Sequence, residues 1–322
     1  MRRRKEETEL FPRKKHAESV AIALAGDRID VVRLRRGRGR DRSLSVLHCS
    51  SHRKEEGEVA CLTRLQRMFR LQRARCIVPL QVGEYQMLQV EPPAVPPEEV
   101  KAAVRWRIKE MIDYPPEDAT VDVLEIPEDP KAVARNLMVY VVCSPNATIQ
   151  RYVRLFQSVR IPLEIIDIPE LAQRNVAGLF ETAGRATAFL SFDGRGTLLT
   201  VSAAGELYLA RRVELTLEQL GAAQADQRSA MLERLLVELQ RSLDNLERQF
   251  RSLSVARLLV APTAEDLKVR EYLAQNLYLP VETADLHSVM DLSATPDLDD
   301  PVRQAACLPL IGAALRELQG AA

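Results

Sequence analysis

The same order of predicted strands and helices occurs twice in this chain. Between residues 19 and about 193, the hydrophobic pattern predicts three strands, a helix, a strand, a small insert, a helix, a strand and a helix. From residue 186 to the end it predicts three strands, a long helix, a strand, a helix, a strand and a helix. A duplicated plan of this kind builds two α/β lobes around a cleft.

The composition is typical of a soluble globular protein without a global charge preference. The 322 residues are 46% hydrophobic and 28% charged, and the formal net charge is zero, which disfavours nucleic acid as a partner. The longest apolar run, residues 137–143, is far too short to span a membrane, and no apolar segment of a secretory signal follows the basic N-terminus. Five scattered cysteines without a C-x-x-C pair suit the reducing cytosol.

Motifs of the common catalytic and metal sites are missing. The sequence contains no Walker A loop, no G-x-G-x-x-G, no H-E-x-x-H and no G-x-S-x-G. A group formed by His48, Cys49, His52 and Cys61 matches no structural zinc spacing. We therefore predict no catalytic residue and no metal ligand.

An inserted β-α-β-β unit is predicted at about residues 84–143. Its helix, predicted over 97–111, carries one apolar stripe made of Val100, Val104, Ile108 and Met111. Trp106 projects from nearly the opposite side, with Ala102 one turn before it. A tryptophan away from the main stripe must meet a second surface, which is either the neighbouring lobe or a partner peptide.

A long helix predicted over residues 227–250 carries a leucine seam at alternating four- and three-residue spacing. The seam consists of Leu232, Leu236, Leu239, Leu243, Leu246 and Phe250. It covers fewer than three heptads, so we expect a core helix in preference to a dimerising coiled coil.

Several segments resemble one family, the PilM-like proteins of type IV pilus assembly, and within it the branch that serves MSHA-type pili. The segments are AVRWRIK (103–109), DYPPEDA (113–119), VDV (121–123), IDIPE (166–170), LVELQRSLD (236–244), ERQ (247–249) and IGAALR (311–316). The order and spacing of these segments extend the resemblance over most of residues 19–318.

The resemblance implies an actin-like (RNase H-like) duplicated fold with a small inserted subdomain, in a protein on the cytoplasmic face of the inner membrane. It also implies a groove between the insert and the first lobe. That groove receives the N-terminal cytoplasmic segment of a bitopic, PilN-like inner-membrane protein. Carried over to this chain, the dock lies beside the predicted helix 97–111, with Trp106, Ala102 and Lys109 as the expected partner-binding residues.

The positions where PilM-like proteins contact nucleotide are altered here. Ala23 and Ala25 stand where the family has Asp and Gly in the first phosphate turn, and Pro262 stands where it has a glycine pair. Only the second turn keeps an acid and glycines, at Asp193, Gly194 and Gly196. We expect a non-catalytic scaffold without a cofactor. The alternatives are an ATPase that binds Mg-ATP at that second turn, and the scaffold of a related type II secretion-like system.

The predicted domain plan is a disordered basic tail at 1–18, a first lobe at 19–168 and a second lobe at 169–322. We expect the last helix, predicted at 302–318, to pack back on the first lobe. The stretch from Arg33 to Arg42 has six arginines and is predicted to lie at a hairpin tip. It either contacts acidic lipid or an acidic partner, or is a solvated loop. Without interleaved aromatic residues, it does not favour nucleic acid.

Overall fold

The computed structural model describes residues 18–37, 43–129, 138–264 and 267–319. The predicted basic tail therefore lies outside the described residues, apart from Glu18 at the first strand. The same is true of residues 38–42 in the arginine-rich stretch. The rest of that stretch is not a hairpin tip, because Arg33–Arg36 continue the second strand, paired with residues of the third.

The elements follow one another in the repeated order. The first part contains β1 (Glu18–Ala25), β2 (Arg28–Arg36), β3 (Leu44–Arg53), α1 (Glu58–Met68) and β4 (Cys76–Pro79). The insert contains β5 (Gln86–Val90), α2 (Pro97–Arg107), β6 (Ala119–Glu125) and β7 (Val139–Pro145). The first repeat ends with α3 (Asn146–Ser158), β8 (Leu163–Asp167) and α4 (Pro169–Ala177). The second repeat contains β9 (Ala186–Asp193), β10 (Gly196–Ala203), β11 (Glu206–Val213), α5 (Leu217–Ala222), α6 (Ala225–Gln249), β12 (Val255–Val260), α7 (Val269–Asn276), β13 (Val281–Thr283) and α8 (Pro301–Gln319).

The two large sheets have the same topology. The first is ordered β3-β2-β1-β4-β8 and the second β11-β10-β9-β12-β13. In both, the first three strands form an antiparallel meander, and the last two strands join it in parallel. The shared order arises because each repeat starts with two hairpins and continues with helical crossovers, which connect parallel strands.

The last helix of each repeat packs against the sheet of the other repeat. Helix α4 follows the first sheet but lies against β9, β10 and β11, while α8 follows the second sheet but lies against β1, β2 and β4. The two helices also contact each other closely at Gly312. A Cβ on this residue would stand only 2.1 Å from the Ala172 carbonyl oxygen, so glycine is what permits the approach. The Asn175 Nδ2 donates to the Gly312 carbonyl oxygen at 2.9 Å. This exchange joins the two lobes.

Two polar side chains reinforce the exchange. Gln173 of α4 is buried, and its Nε2 lies 2.9 Å from the Phe189 carbonyl oxygen and 3.1 Å from that of Leu198, in the second sheet. Arg316 of α8 donates to Asp167 Oδ1 at 2.6 Å, at the end of the first sheet. Burial raises the pKa of Asp167, although the Arg316 guanidinium opposes this effect. Removal of either partner would leave the other without its counter-charge.

The insert forms a third, antiparallel sheet with the order β5-β7-β6. Its small core lies between α2 and the sheet, and it includes Val104, Ile108, Val121 and Val141. All four of these side chains are fully or almost fully buried. The predicted β-α-β-β order of the insert therefore matches the structure, although β7 runs on to Pro145.

The leucine seam of α6 faces the core of the second lobe. All six seam residues are at most 9% exposed. Burial of a leucine side chain contributes about 1.5–3 kcal/mol, so this seam holds the helix in place without a second copy of the chain.

Three helix predictions differ from the structure. The sequence pattern predicts a helix over 264–277 with Thr263 as its N-cap. Helix α7 instead begins at Val269, because Lys268 before it is left-handed (φ 50°) and Leu267 is buried. Helix α2 ends at Arg107, so Met111 leaves the apolar stripe and is 47% exposed. The short α5 was not predicted, although Thr216 and Gln219 form a capping box at its start.

Candidate functional site

The first turn of the cleft is an ordinary hairpin. Ala25 pairs with Arg28, so Gly26 and Asp27 form a two-residue turn, in which Gly26 has a positive φ of 48°. Ala23 is buried in the strand before it. Neither alanine offers a carboxylate for a metal, so the loss of a phosphate site at this turn stays a prediction.

Asp193 in the second turn is already bound by protein groups. Its Oδ1 accepts from the Arg195 backbone N–H at 2.8 Å, and its Oδ2 accepts from Arg212 Nη1 at 2.8 Å. Both carboxylate oxygens therefore have partners within the chain. The guanidinium of Arg212 therefore neutralises the charge that this carboxylate would offer to a metal ion.

Arg212 connects Asp193 to a buried carboxylate of the other repeat. Its Nε donates to Glu170 Oε1 at 3.1 Å, and Tyr85 donates from its hydroxyl to Glu170 Oε2 at 2.5 Å. Glu170 lies in the first turn of α4, where the helix dipole also favours a negative charge. The network Tyr85–Glu170–Arg212–Asp193, here called the cleft network, thus links the insert boundary, the start of α4, β11 and the end of β9.

The pKa values in the cleft network favour its present protonation states. Burial opposes the charge on Arg212, but Glu170, Tyr85 and Asp193 outweigh this effect and raise the pKa of the guanidinium. Burial, together with the neighbouring Glu170 carboxylate, raises the pKa of the Tyr85 phenol. The arginine therefore stays charged and the tyrosine neutral at physiological pH, so neither is poised to exchange a proton with a substrate.

The two glycines of the second turn, Gly194 and Gly196, have different surroundings. Gly196 has a φ of 149°, and a Cβ there would stand 2.5 Å from the Val213 carbonyl oxygen, so it permits close packing of the strand end. Gly194 has open space around its Cα. The Arg195 side chain extends to Gly83 in the first repeat, where a Cβ would stand 2.8 Å from Arg195 Nη1. Close packing of the strand end against Val213 is thus a structural reason for glycine at position 196.

The position expected for adenosine is occupied by an ordinary connection. The Ala261 N–H donates to the Leu190 carbonyl oxygen at 2.8 Å, and Ala261 is buried. Pro262 follows directly and has no N–H to offer. The arrangement of the cleft is suited to holding the two lobes together. Both carboxylates of the cleft network, Asp193 and Glu170, accept hydrogen bonds from groups of the chain itself.

Two of the predicted partner-binding residues lie one turn apart on α2, and the third follows the helix. Trp106 is 75% exposed, Ala102 one turn before it is exposed, and Lys109 is exposed in the turn after Arg107. The expectation that Trp106 packs on a neighbouring lobe is therefore wrong. A large exposed indole next to an exposed alanine is typical of a protein interface, because tryptophan provides much contact area for little loss of rotamer freedom.

The insert takes part in two grooves. One of about 1010 Å³ lies on the insert itself and is lined by Pro93, Pro97, Val100, Val123 and Met138, among others. The other, of about 880 Å³, lies between the insert and the second lobe, where the Tyr140 hydroxyl accepts from the Ala210 N–H at 3.1 Å.

At the junction of the insert with the first lobe, Glu84 makes three contacts. It accepts from the Tyr152 hydroxyl, from Arg151 and from the Gln81 N–H at 2.7, 2.7 and 2.8 Å. These bonds fix the Glu84 side chain at the boundary where the sequence predicted the dock. The grooves described above lie on two other faces of the insert.

The cleft network could not be found from the sequence. Asp193 was identified as a candidate, but Tyr85, Glu170 and Arg212 were missed, since they are far apart in the chain and belong to no motif. The one local signal was Glu170, which follows Pro169 at a predicted helix start.

Comparison with solved structures shows the same fold at low sequence identity. A chain of the "PilM-PilN type IV pilus biogenesis complex" matches with a TM-score of 0.70 and 16% identity, over 94% of this chain and 99% of that chain. The cytoplasmic domain of EpsL, an inner-membrane component of the type II secretion system of Vibrio cholerae, matches with a TM-score of 0.46 and 12% identity, over 76% and 82% of the two chains. A Bacteroides thetaiotaomicron protein with an actin-like ATPase fold and unknown function matches with a TM-score of 0.47 and 11% identity, over 91% and 97%. No protein-family model and no curated protein matches the chain.

The chain thus has the actin-like, duplicated α/β fold that the sequence predicted, with a β-α-β-β insert in the first repeat. Within the described residues, none of the helices combines the length and apolar character that crossing a bilayer requires.

Proposed function

We propose that this protein is a non-catalytic, PilM-like scaffold of type IV pilus assembly. In this role it binds the N-terminal cytoplasmic segment of a bitopic, PilN-like protein and so resides on the cytoplasmic face of the inner membrane. The motifs of α2 and α6 favour the MSHA-type branch, in which the corresponding protein is MshI. The likeness in fold to a chain of the PilM–PilN complex, over nearly the full length of both chains, supports the assignment.

The single observation that carries the non-catalytic part is the state of Asp193. Both of its oxygens are bound within the chain, one of them by an arginine that also neutralises buried Glu170. In an ATPase of this fold the corresponding carboxylate must be free to organise a metal and its waters. Here the Asp193 carboxylate binds Arg212 within the second sheet, and Arg212 in turn binds Glu170 of α4.

The partner-binding part rests on the α2 surface. Trp106 is the most exposed of the large apolar side chains in the described residues, and no element of this chain covers it. Docking of an extended segment would bury the indole, and interface hot spots of this kind account for about 2 kcal/mol or more.

The experiment that tests the partner is a calorimetric titration with a synthetic peptide. The peptide is the N-terminal cytoplasmic segment of a PilN-like protein of a type IV pilus system. We expect saturable binding that Trp106→Ala weakens at least thirtyfold, the equivalent of about 2 kcal/mol. Tyr278→Ala, which removes another exposed aromatic side chain in the second lobe, is the matched control.

Two outcomes would contradict this proposal. An unchanged affinity in Trp106→Ala, with the control also unchanged, would remove α2 from the dock. Binding of the corresponding segment of a type II secretion protein, but not of the pilus protein, would assign the scaffold to that machine instead.

A further inference from the structure

A strongly basic segment joins α1 to β4. Residues 59–83 contain arginine at 64, 67, 70, 73 and 75 and no aspartate, glutamate or lysine, in a chain whose net charge is zero. The positive charge is therefore a local property of this surface. Neither the cleft network nor the α2 surface involves it.

The backbone turns these arginines outward. Helix α1 ends at Met68, Arg70 adopts the left-handed conformation (φ 52°, ψ 43°), and a 3₁₀ turn covers Leu71–Arg73. Leu65 and Leu71 are fully buried and anchor both sides of the turn. The opposite side carries the exposed side chains of Arg67, Arg70 and Arg73 around a hollow of about 370 Å³, which Gln66 and Gln72 complete.

Three of the arginines have no counter-charge among the residues that the structure describes. At the margins, Arg64 pairs with Glu56 at 3.8 Å and Arg75 with Glu164 at 3.1 Å. For the side chains of Arg67, Arg70 and Arg73, the described part of the chain supplies neither an ion pair nor a hydrogen bond. Unpaired guanidiniums on one small surface raise the local positive potential, which attracts anions.

An exposed apolar side chain directly follows Arg67 in the chain. Met68 is 56% exposed, although it lies at the end of a helix whose other apolar face is buried. Phe69 next to it packs on the His48 ring, with ring centroids 4.3 Å apart. The Phe69 carbonyl oxygen accepts from Arg33 Nη2 at 2.6 Å, so the arginine-rich strand β2 contacts this surface at its base.

We propose that Arg67, Arg70, Arg73 and Met68, here called the arginine surface, dock the protein on the surface of an anionic phospholipid bilayer. The guanidiniums bind lipid phosphates, since arginine forms paired hydrogen bonds with phosphate oxygens. Met68 enters the boundary between headgroups and acyl chains. A combination of basic and apolar side chains on one exposed surface is typical of peripheral membrane contacts.

The shape of the surface favours a bilayer over a folded acidic protein. The hollow is large enough for a headgroup phosphate but not for a folded element. The three arginines are distributed along the chain and do not converge on one deep site. A fluid layer of anionic headgroups can meet all three at once, and each basic residue near such a surface contributes about fivefold to binding.

The test is flotation of the purified full-length protein with lipid vesicles. We expect it to float with vesicles of 70% phosphatidylcholine and 30% phosphatidylglycerol at physiological ionic strength, but not with pure phosphatidylcholine. The variant Arg67→Gln/Arg70→Gln/Arg73→Gln should lose affinity on the order of a hundredfold. Binding of the wild type should also fall steeply at 1 M salt, where screening is nearly complete.

The matched control is Arg241→Gln/Arg248→Gln/Arg251→Gln, which makes the same charge change with three exposed arginines of the second lobe. It should bind anionic vesicles like the wild type. Met68→Glu is a second variant, which leaves all the arginines in place and should also weaken binding. Circular dichroism melting curves identify any variant that fails to fold.

Several results would overturn the proposal. They are no flotation with anionic vesicles, equal flotation with neutral vesicles, or an equal loss in the two triple variants. Binding of polyglutamate or duplex DNA in place of vesicles would assign the arginine surface to a different partner. No partner protein is present in the assay, so its failure would leave the proposed scaffold function untouched.

Discussion

Arg212 Nη1 lies 2.8 Å from Asp193 Oδ2, and this contact occupies the one acidic side chain that the sequence offers to a nucleotide. The same guanidinium binds Glu170, whose side chain is 5% exposed. The pair thus belongs to a network that extends from β11 to the start of α4. Asp193, which the sequence suggested as a metal ligand, therefore acts as a structural counter-charge to Arg212 in the fold.

Loss of Arg212 should destabilise the fold strongly. We expect Arg212→Met to lower the free energy of unfolding by about 3–5 kcal/mol, because it leaves the buried Glu170 carboxylate without its cation. Urea denaturation measures this change. The neighbouring Arg211→Met is the control and should cost less than about 0.5 kcal/mol, since its pair with Glu238 is exposed. Equal effects of the two changes would show that the cleft network is not structural.

Mg-ATP should not bind in the cleft. We expect neither saturable heat on titration to millimolar concentration nor a rise in the melting temperature, because a ligand that binds only the folded state must stabilise it. One-site binding that Asp193→Ala abolishes, while Asp27→Ala preserves it, would instead support the ATPase alternative.

The contact between α4 and α8 should tolerate no side chain at Gly312. A Cβ there would stand 2.1 Å from the Ala172 carbonyl oxygen, so Gly312→Ala must separate the helices. We expect a loss of about 3 kcal/mol or more in thermal or urea unfolding. In contrast, Gly221→Ala in α5 should be neutral or stabilising by up to about 1 kcal/mol, because its Cβ would be 4.0 Å from Leu267. A neutral Gly312→Ala would mean that the helices can move apart freely.

On α2, stability and binding should be separable. Trp106→Ala should change the free energy of unfolding by less than about 0.5 kcal/mol, because the side chain is exposed. Ile108→Ala on the same segment should cost about 2–5 kcal/mol, since Ile108 is fully buried in the core of the insert. Urea denaturation of both variants gives the comparison. A collapse of the fold in Trp106→Ala would contradict its assignment as a surface residue.

Acid should destabilise the protein through His48 and His52. Burial lowers the pKa of both side chains. The neighbouring His52 and Arg33 lower the pKa of His48 further. Arg64 lowers the pKa of His52 further, and Asp30 opposes this with a smaller effect. The unfolded chain, with histidine pKa values of about 6.5, therefore takes up protons first as the pH falls. This contribution to stability is present above pH ~6.5 and is lost between that pH and the lower folded-state values.

The measurement is the free energy of unfolding from pH 8 to pH 5 in the wild type and in His48→Asn/His52→Asn. We expect a shallower loss on acidification in the double variant. His287, whose pKa is raised by its hydrogen bonds to Asp299 and Asp285, has the opposite pH dependence but is the same in both proteins. Parallel curves would rule out the two histidines as the source of acid sensitivity.

Local sequence patterns determined most of the architecture. The two hairpin meanders follow from alternating apolar residues and from turns such as Gly205, and the α6 seam follows from its leucine spacing, because these signals act between residues close in the chain. The boundaries of α2 and α7 were less well predicted. At α7, the left-handed Lys268 and the burial of Leu267 override the helix propensity of the preceding residues.

The sequence, compared with the family that it resembles, also predicts that the first phosphate turn and the adenosine position lack the residues that nucleotide binding needs. Only the tertiary structure decided the fate of Asp193, since its partner Arg212 lies 19 residues away and Glu170 reaches them from the other repeat. The tertiary structure also explains why residue 312 must be glycine, and it shows that Trp106 is exposed. The physical reason is that burial, ion pairing and close helix contact depend on residues that are distant in the chain, and no local pattern records which of them will meet.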